Sequence, residues 1–145
     1  MDRDDERDGF ALDGFLPYLL NQAAEATSER FAPAYRDRYG MHRTDWRVLF
    51  HLGARGSRTA TEIARAGRIH KTKVSRALAR LEAMRFVTRA RNPDDRRFET
   101  LALTQAGWRA YHDLRARAEA FERHLLEGVS EAEVAALKRA LARMT

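Results

Sequence analysis

Residues 59–104 carry local signals in an order that few folds can satisfy. A capped short helix is followed by a glycine turn, a second helix bearing Lys71, Lys73, Arg76 and Arg80, and two strands flanking Asn92-Pro93-Asp94-Asp95-Arg96-Arg97. Thr59-Ala60-Thr61-Glu62 is a capping box, in which the hydroxyl and the carboxylate each take a backbone N–H that a helix start leaves without a partner. The helix it opens is expected over residues 60–66, with Ile63 and Ala64 inward and Gly67 supplying the left-handed residue that ends it. The next helix, over residues 71–84, sorts on a wheel of about 100° per residue. With Val74 at zero, Ala77, Leu78 and Leu81 fall within about 60° of it, while Thr72, Arg76, Ala79 and Ala83 gather at the opposite pole, flanked by Lys73 and Arg80. Residues 86–91 and 97–103 have strand composition, and the Asn-Pro-Asp-Asp run between them has turn chemistry, which predicts a hairpin.

Helical spacing governs both flanks. From Phe10 onward Leu12, Phe15, Leu16, Leu19, Leu20, Ala23 and Ala26 form one apolar stripe, and Pro33 is placed to kink or end that helix. Thr44 is expected to cap a helix with Trp46, Leu49, Phe50 and Leu52 inward, stopped by Gly53-Ala54-Arg55-Gly56. Thr104 caps a long helix carrying Trp108, Tyr111, Leu114, Ala118, Phe121 and Leu125, closed by Gly128. Ser130-Glu131-Ala132-Glu133 opens a last one with Val134, Leu137, Leu141 and Met144. The fold class is therefore mainly α (α+β). A module complete between residues 44 and 104, with long apolar stripes on both sides of it, needs something to cover those stripes. A homodimer supplies that cover; the alternative is a small bundle formed by the stripes within one chain. The expected organisation is a disordered acidic leader over 1–9, an N-terminal dimerisation helix over 10–43, the module over 44–104, and C-terminal dimerisation helices over 105–145.

Charge follows the same partition. Residues 1–40 hold 5 arginines against 9 acids (net −4), residues 41–104 hold 15 Lys or Arg against 6 acids (net +9), and residues 105–145 hold 7 against 6 (net +1). Arginine outnumbers lysine 24 to 3, which compositional bias alone explains, but bias does not explain why the acids leave the middle segment. A surface facing a polyanion does. The chain has 145 residues and 44% apolar content, enough for one folded core. It contains no cysteine, which excludes disulfides, thiolate metal sites and thiol regulation. Its five histidines are scattered without ligand spacing, so neither a metal nor a cofactor is expected. The acidic start and the absence of an apolar run of about 18 residues predict a cytoplasmic protein without membrane attachment. No phosphate loop, dinucleotide fingerprint or nucleophile motif is present, and an enzyme is not expected.

The outer face of the basic helix has the chemistry for a DNA groove. Arginine bonds guanine O6 and N7 bidentately, and threonine offers a hydroxyl and a methyl to base edges, which suits Thr72 and Arg76 to base contact. Lys73, Ser75 and Arg80 are better placed for phosphates. In the hairpin, the Asp95 carboxylate can orient the Arg97 guanidinium outward toward the next minor groove.

These residues together resemble the MarR-type winged helix-turn-helix regulators. The likeness is carried by residues 44–49, by Thr61 to Ala64, by Lys71 to Arg76 with Leu78 and Leu81, and above all by Asp95-Arg96-Arg97 followed by Leu101-Ala102-Leu103-Thr104 and Gly107. The last string is similar to the family's wing signature. Two positions depart from the family pattern, in that Arg85 and Arg68 stand where the family has glycine. The resemblance implies a homodimer with interlocked terminal helices, two winged modules on a pseudo-palindromic double-stranded DNA site, and a ligand crevice between the two regions. It places Lys71, Thr72, Lys73, Ser75, Arg76, Arg80, Arg91, Asp95, Arg96 and Arg97 at the DNA. The expected function is a sequence-specific transcriptional regulator, a repressor modulated by a small aromatic or anionic effector. The alternative is an architectural or protein-interaction winged helix without sequence-specific reading. Tyr39, His42, Trp46, Arg47 and Phe50 are the candidate effector residues, with aromatic walls for a flat guest and Arg47 or His42 for its charge.

Overall fold

The computed structural model describes residues 9–95 and 97–145; residues 1–8 of the leader expected over 1–9, and Arg96 with its expected DNA contact, lie outside it. Helix α1 spans Leu16–Tyr39, α2 Arg43–Arg55, α3 Ala60–Gly67, α4 Lys71–Ala83, α5 Gln105–Leu125 and α6 Glu131–Met144. Strand β1 is Arg58–Thr59, β2 Val87–Arg91 and β3 Glu99–Leu103, forming an antiparallel sheet in the order β1-β3-β2. The hairpin register pairs Val87 with Leu103 and Arg91 with Glu99, while β1 pairs Arg58 with Leu101. Among the described residues no helix is long and apolar enough to cross a membrane, and no group of three His, Asp or Glu is placed to hold a metal.

The core spans the module and the halves of α1 and α5 packed against it. Val48, Leu49 and Leu52 of α2, Ile63 of α3, Val74, Ala77, Leu78 and Leu81 of α4, Leu101 of β3 and Leu114 of α5 are all buried in one cluster. Apolar spacing fixes α4 as expected, with Val74, Ala77, Leu78 and Leu81 inward and Thr72, Arg76, Ala79 and Ala83 outward. The capping boxes at Thr59 and Ser130 form, and the Thr104 hydroxyl accepts the Gly107 N–H.

Several local expectations are corrected. Phe10 to Phe15 is not part of α1; a 3-10 turn over Leu12–Gly14 precedes it, and Pro17 sits in its first turn, where a missing N–H costs nothing. Pro33 does not end α1, which runs on to Tyr39 and closes at Gly40 with φ 66°. The proline is exposed, so the Glu29 carbonyl it leaves without a helical donor can face water. His42, not Thr44, caps α2, and its N–H donates to the Asp45 carboxylate at 2.8 Å. Gly53 does not stop α2: a Cβ there would lie 2.4–2.6 Å from the Tyr111 ring, so the glycine serves close helix packing, and the helix ends at Gly56. The left-handed residue after α3 is Arg68 (φ 50°), because Gly67 stays helical with a Cβ position only 2.9 Å from His51 Nε2. Arg85, before β2, also has positive φ (63°).

The flanking stripes are only partly covered within one chain, where the second half of α1 packs on α5. Helix α1 buries Phe31, Ala32 and Tyr35 from its second half only, and α6 buries no residue. Phe15, Leu16 and Leu19 at one end and Leu137, Leu141 and Met144 at the other remain exposed.

Candidate nucleic-acid interface

Helix α4 presents Lys71, Thr72, Lys73, Ser75 and Arg76 on its exposed side, over its first two turns. Its start is fixed by His70, whose Nδ1 accepts the Thr72 N–H at 3.2 Å. Arg80, one turn further on, is oriented differently. Its Nε donates to both Asp45 carboxylate oxygens (2.9 and 3.0 Å) and its Nη2 lies 2.8 Å from Oδ1. Asp45 is fully buried and the Arg80 side chain is one third exposed, so this arginine ties α4 to α2.

The hairpin loop is held by its own polar groups. Asn92 Oδ1 accepts the Asp94 N–H at 2.9 Å, the Asn92 N–H donates to the Phe98 carbonyl at 3.0 Å, and the Phe98 N–H donates to the Asp95 carbonyl at 3.1 Å. On this frame the Asp95 carboxylate takes three donors from one residue: the Arg97 N–H at 3.1 Å, Nε at 3.0 Å and Nη2 at 3.0 Å. Those bonds, the side-chain pair foremost, hold the Asp95 carboxyl below the usual carboxylate range and push the Arg97 guanidinium up. The Arg97 side chain is nevertheless 85% exposed. A bidentate clamp has removed its rotational freedom without covering its outer edge, which is the preorganised state a groove contact needs. Arg91 and Arg97 line one open groove of about 270 Å³ with Thr59, Thr61 and Phe98, between the hairpin and the start of α3.

Arg89 is a supporting residue that the sequence reading did not single out. It lies on β2 between Glu82 of α4, taken by Nε, and Glu99 of β3, taken by Nη1 at 3.2 Å, and so fixes the hairpin to the preceding helix. Its signal was available as the opposite charges of Arg89 and Glu99 on facing strands. Asp45 was also missed, and its only local sign is a position three residues after the cap. Phe98 was counted as a strand residue, yet it precedes β3 and is half exposed beside Arg97.

The five effector candidates do not converge on one crevice. Trp46, Arg47 and Phe50 line a shallow cleft of about 240 Å³ along α2. Tyr39 lies apart: its hydroxyl donates to Asp113 Oδ2 on α5 at 2.6 Å, and burial pushes its pKa above the usual value. His42 sits exposed at the start of α2. Trp46 belongs to an aromatic cluster, 5.2 Å from Phe31, 5.9 Å from Tyr35 and 5.3 Å from Phe50 between centroids. Arg47 Nη2 donates to the Gly67 carbonyl at 2.8 Å, and burial holds its pKa below the usual arginine range. A second cleft of about 290 Å³ runs between α1 and α5, lined by Phe31, Trp46, Ala118 and Phe121. The Trp46 indole N–H is buried and has no acceptor among the described residues.

The same architecture occurs in known proteins. The sequence pattern of the MarR family matches residues 39–97, the span from the end of α1 through the wing arginine. An uncharacterized HTH-type transcriptional regulator of Bacillus subtilis, YwoH, is 28% identical over 111 residues, 77% of this chain and 80% of the relative. A probable transcriptional regulator from Pseudomonas aeruginosa superposes with TM-score 0.83 at 26% identity, over 93% of this chain and all of that one. Bordetella bronchiseptica BpsR, whose DNA binding is regulated by 6-hydroxynicotinic acid, shares the fold with TM-score 0.84 at 22% identity, over 93% and 96% of the two chains. Over residues 39–97 the chain carries the MarR-family pattern, and with its basic helix and exposed wing arginine it is similar to winged helix-turn-helix transcriptional regulators.

Proposed function

We propose that this protein is a repressor that binds a pseudo-palindromic operator as a homodimer and is released by a small aromatic or anionic effector. The observation that carries the reading is the Asp95–Arg97 clamp, a guanidinium fixed at both Nε and Nη2 yet almost fully exposed at the end of the hairpin. In the proposed complex α4 enters the major groove. Thr72 and Arg76 meet base edges, Lys71, Lys73 and Ser75 meet phosphates, and Arg97 reaches the adjacent minor groove with Arg91 on the backbone beside it. Arg80 supports α4 through Asp45. Clamping an arginine before binding lowers the ordering entropy of the contact, and this favours DNA recognition over an ordinary surface ion pair.

Two further features support the finer parts. The exposed apolar faces of α1 and α6 lie at the two ends of the chain, outside the DNA-binding module, where a second copy would cover them. A two-fold dimer sets its recognition helices about 34–36 Å apart, one turn of DNA. The cleft between α1 and α5 offers aromatic walls for a flat effector. The related BpsR responds to a hydroxylated aromatic acid, a ligand of the kind such a site takes.

Footprinting on genomic fragments, paired with sedimentation of the free protein, tests the reading. Protection of a two-fold site by a dimer is the expected result. Equal affinity for every fragment would replace it with the architectural alternative, and a monomer at micromolar concentration would remove the dimer.

A further inference from the structure

Between α2 and α3 a second concave surface has no part in the recognition described above. His51, Arg55, Arg58, Glu62 and Arg65 surround an open cavity of about 240 Å³, with buried Ile63 as its apolar wall. Three guanidinium groups therefore face one carboxylate, and that carboxylate already accepts the Thr59 N–H at the start of α3, 3.2 Å away. Among the described residues Arg55, Arg58 and Arg65 have no carboxylate within ion-pair distance, whereas Arg80 and Arg97 of the same module each have one and Arg89 has two. His51 is half-buried, with its Nε2 against the Gly67 backbone. The cavity is smaller than the roughly 300–1,000 Å³ that drug-sized ligands occupy, and it is more cationic than a single carboxylate requires.

We propose that this cavity is an anion site for a phosphate group, belonging either to a free phosphomonoester or to the nucleic-acid backbone, with Arg55, Arg58 and Arg65 as its donors. A terminal phosphate carries close to two negative charges and three acceptor oxygens, which three guanidinium groups match. His51 is the sensor of occupancy. It is faced by Arg47 and Arg55 from its own helix, by Arg58 from β1, and by Arg65 and Glu62 from α3. Burial first, then Arg55 and Arg47, hold its imidazole below the usual histidine value and therefore neutral at pH 7. A bound phosphate replaces that repulsion by attraction, so filling the site favours the protonated His51 ring. Because His51 abuts Gly67, the site touches the turn that sets the angle between α3 and α4.

The test uses the full chain without DNA, titrated with inorganic phosphate at constant ionic strength, followed by the His51 ring resonances and by calorimetry in two buffers of different ionisation enthalpy. A saturable response with protonation of the His51 ring is expected, weakened at least about tenfold by Arg55→Gln, Arg58→Gln or Arg65→Gln. His51→Gln should keep the affinity within about threefold and shift the proton balance of binding toward release, leaving only the ligand's own ionisation. Sodium chloride at the same ionic strength should produce no saturable change. The second arm measures duplex affinity against salt and, unlike the first, rests on the DNA-binding reading. If the backbone supplies the phosphate, free phosphate gives no saturation, while replacing the three arginines together lowers the log–log salt slope by about 0.9. The proposal is overturned if phosphate binding is indifferent to all three arginines, or if phosphate does not saturate and the slopes are unchanged. Circular dichroism melting of each variant identifies any loss that comes from unfolding.

Discussion

Removing Arg80 should harm the protein more than removing its partner Asp45, although the two make the same ion pair. Asp45 is fully buried, and its carboxylate has Arg80 Nε and Nη2 and the His42 N–H as donors. Arg80→Met fills similar volume and suits a helix, but it leaves a buried carboxylate with one backbone donor, a loss of about 3–5 kcal/mol. Asp45→Asn keeps the shape and an acceptor for His42, and it strands a guanidinium that is one third exposed and can turn to water. With that solvation discounted, the loss is about 1–2 kcal/mol. The double variant has no buried charge and should lie closer to Asp45→Asn than to the sum of the single changes. For a chain of this length about 3 °C of melting temperature accompanies each kcal/mol, giving drops of roughly 10–15 °C and 3–6 °C. Urea denaturation followed by tryptophan fluorescence, at one protein concentration, measures all three. Equal losses for the single variants, or additivity within about 0.5 kcal/mol, would refute the argument from burial. The double variant also decides the role of Arg80 at DNA: a supporting tie leaves the salt slope of binding unchanged, and a phosphate contact lowers it by about 0.9.

Gly107→Ala would place a Cβ 2.0 Å from the Phe86 carbonyl oxygen, which already accepts the Thr104 N–H and cannot retreat; about 3 kcal/mol of stability should be lost, read from the urea midpoint. Arg68→Gly and Arg85→Gly should each stabilise by about 0.5–1 kcal/mol, the left-handed penalty less the added chain entropy of glycine; a loss at either site would show that the arginine side chain contributes more than its backbone costs. His51 has a depressed folded-state pKa, so its contribution to stability is present above about pH 6.5 and is lost as pH falls through the folded value. Stability measured between pH 5 and 7 should therefore rise with pH in the wild type and rise less in His51→Gln.

What the sequence made legible depended on how far apart the interacting groups lie along the chain. The caps at Thr59, Thr104 and Ser130 act on neighbours three residues away, and the Asp95–Arg97 clamp on one two residues away, so the local string contains both partners. The buried face of α4 followed from its period. Strand β1 has only two residues, too few for any alternation, and it exists because β3 offers an edge. Gly53 and Gly67 read as stops because glycine usually ends helices, whereas here the Tyr111 ring and the His51 imidazole leave no room for a side chain. Arg80 and Asp45 are 35 residues apart, and Tyr39 and Asp113 are 74 apart. Nothing in the local pattern could have paired Arg80 with a buried carboxylate or separated Tyr39 from Trp46.

Fluorescence anisotropy with a duplex recovered by selection and a scrambled copy, across a salt series, tests the central claim most directly when the wild type is set beside Arg76→Ala and Arg97→Ala. Arg97→Ala should weaken binding of the selected duplex by about tenfold or more without moving the melting temperature, and Arg76→Ala should narrow the gap between selected and scrambled DNA. Wild-type affinity for both duplexes in both variants would contradict a recognition surface built from α4 and the clamped wing.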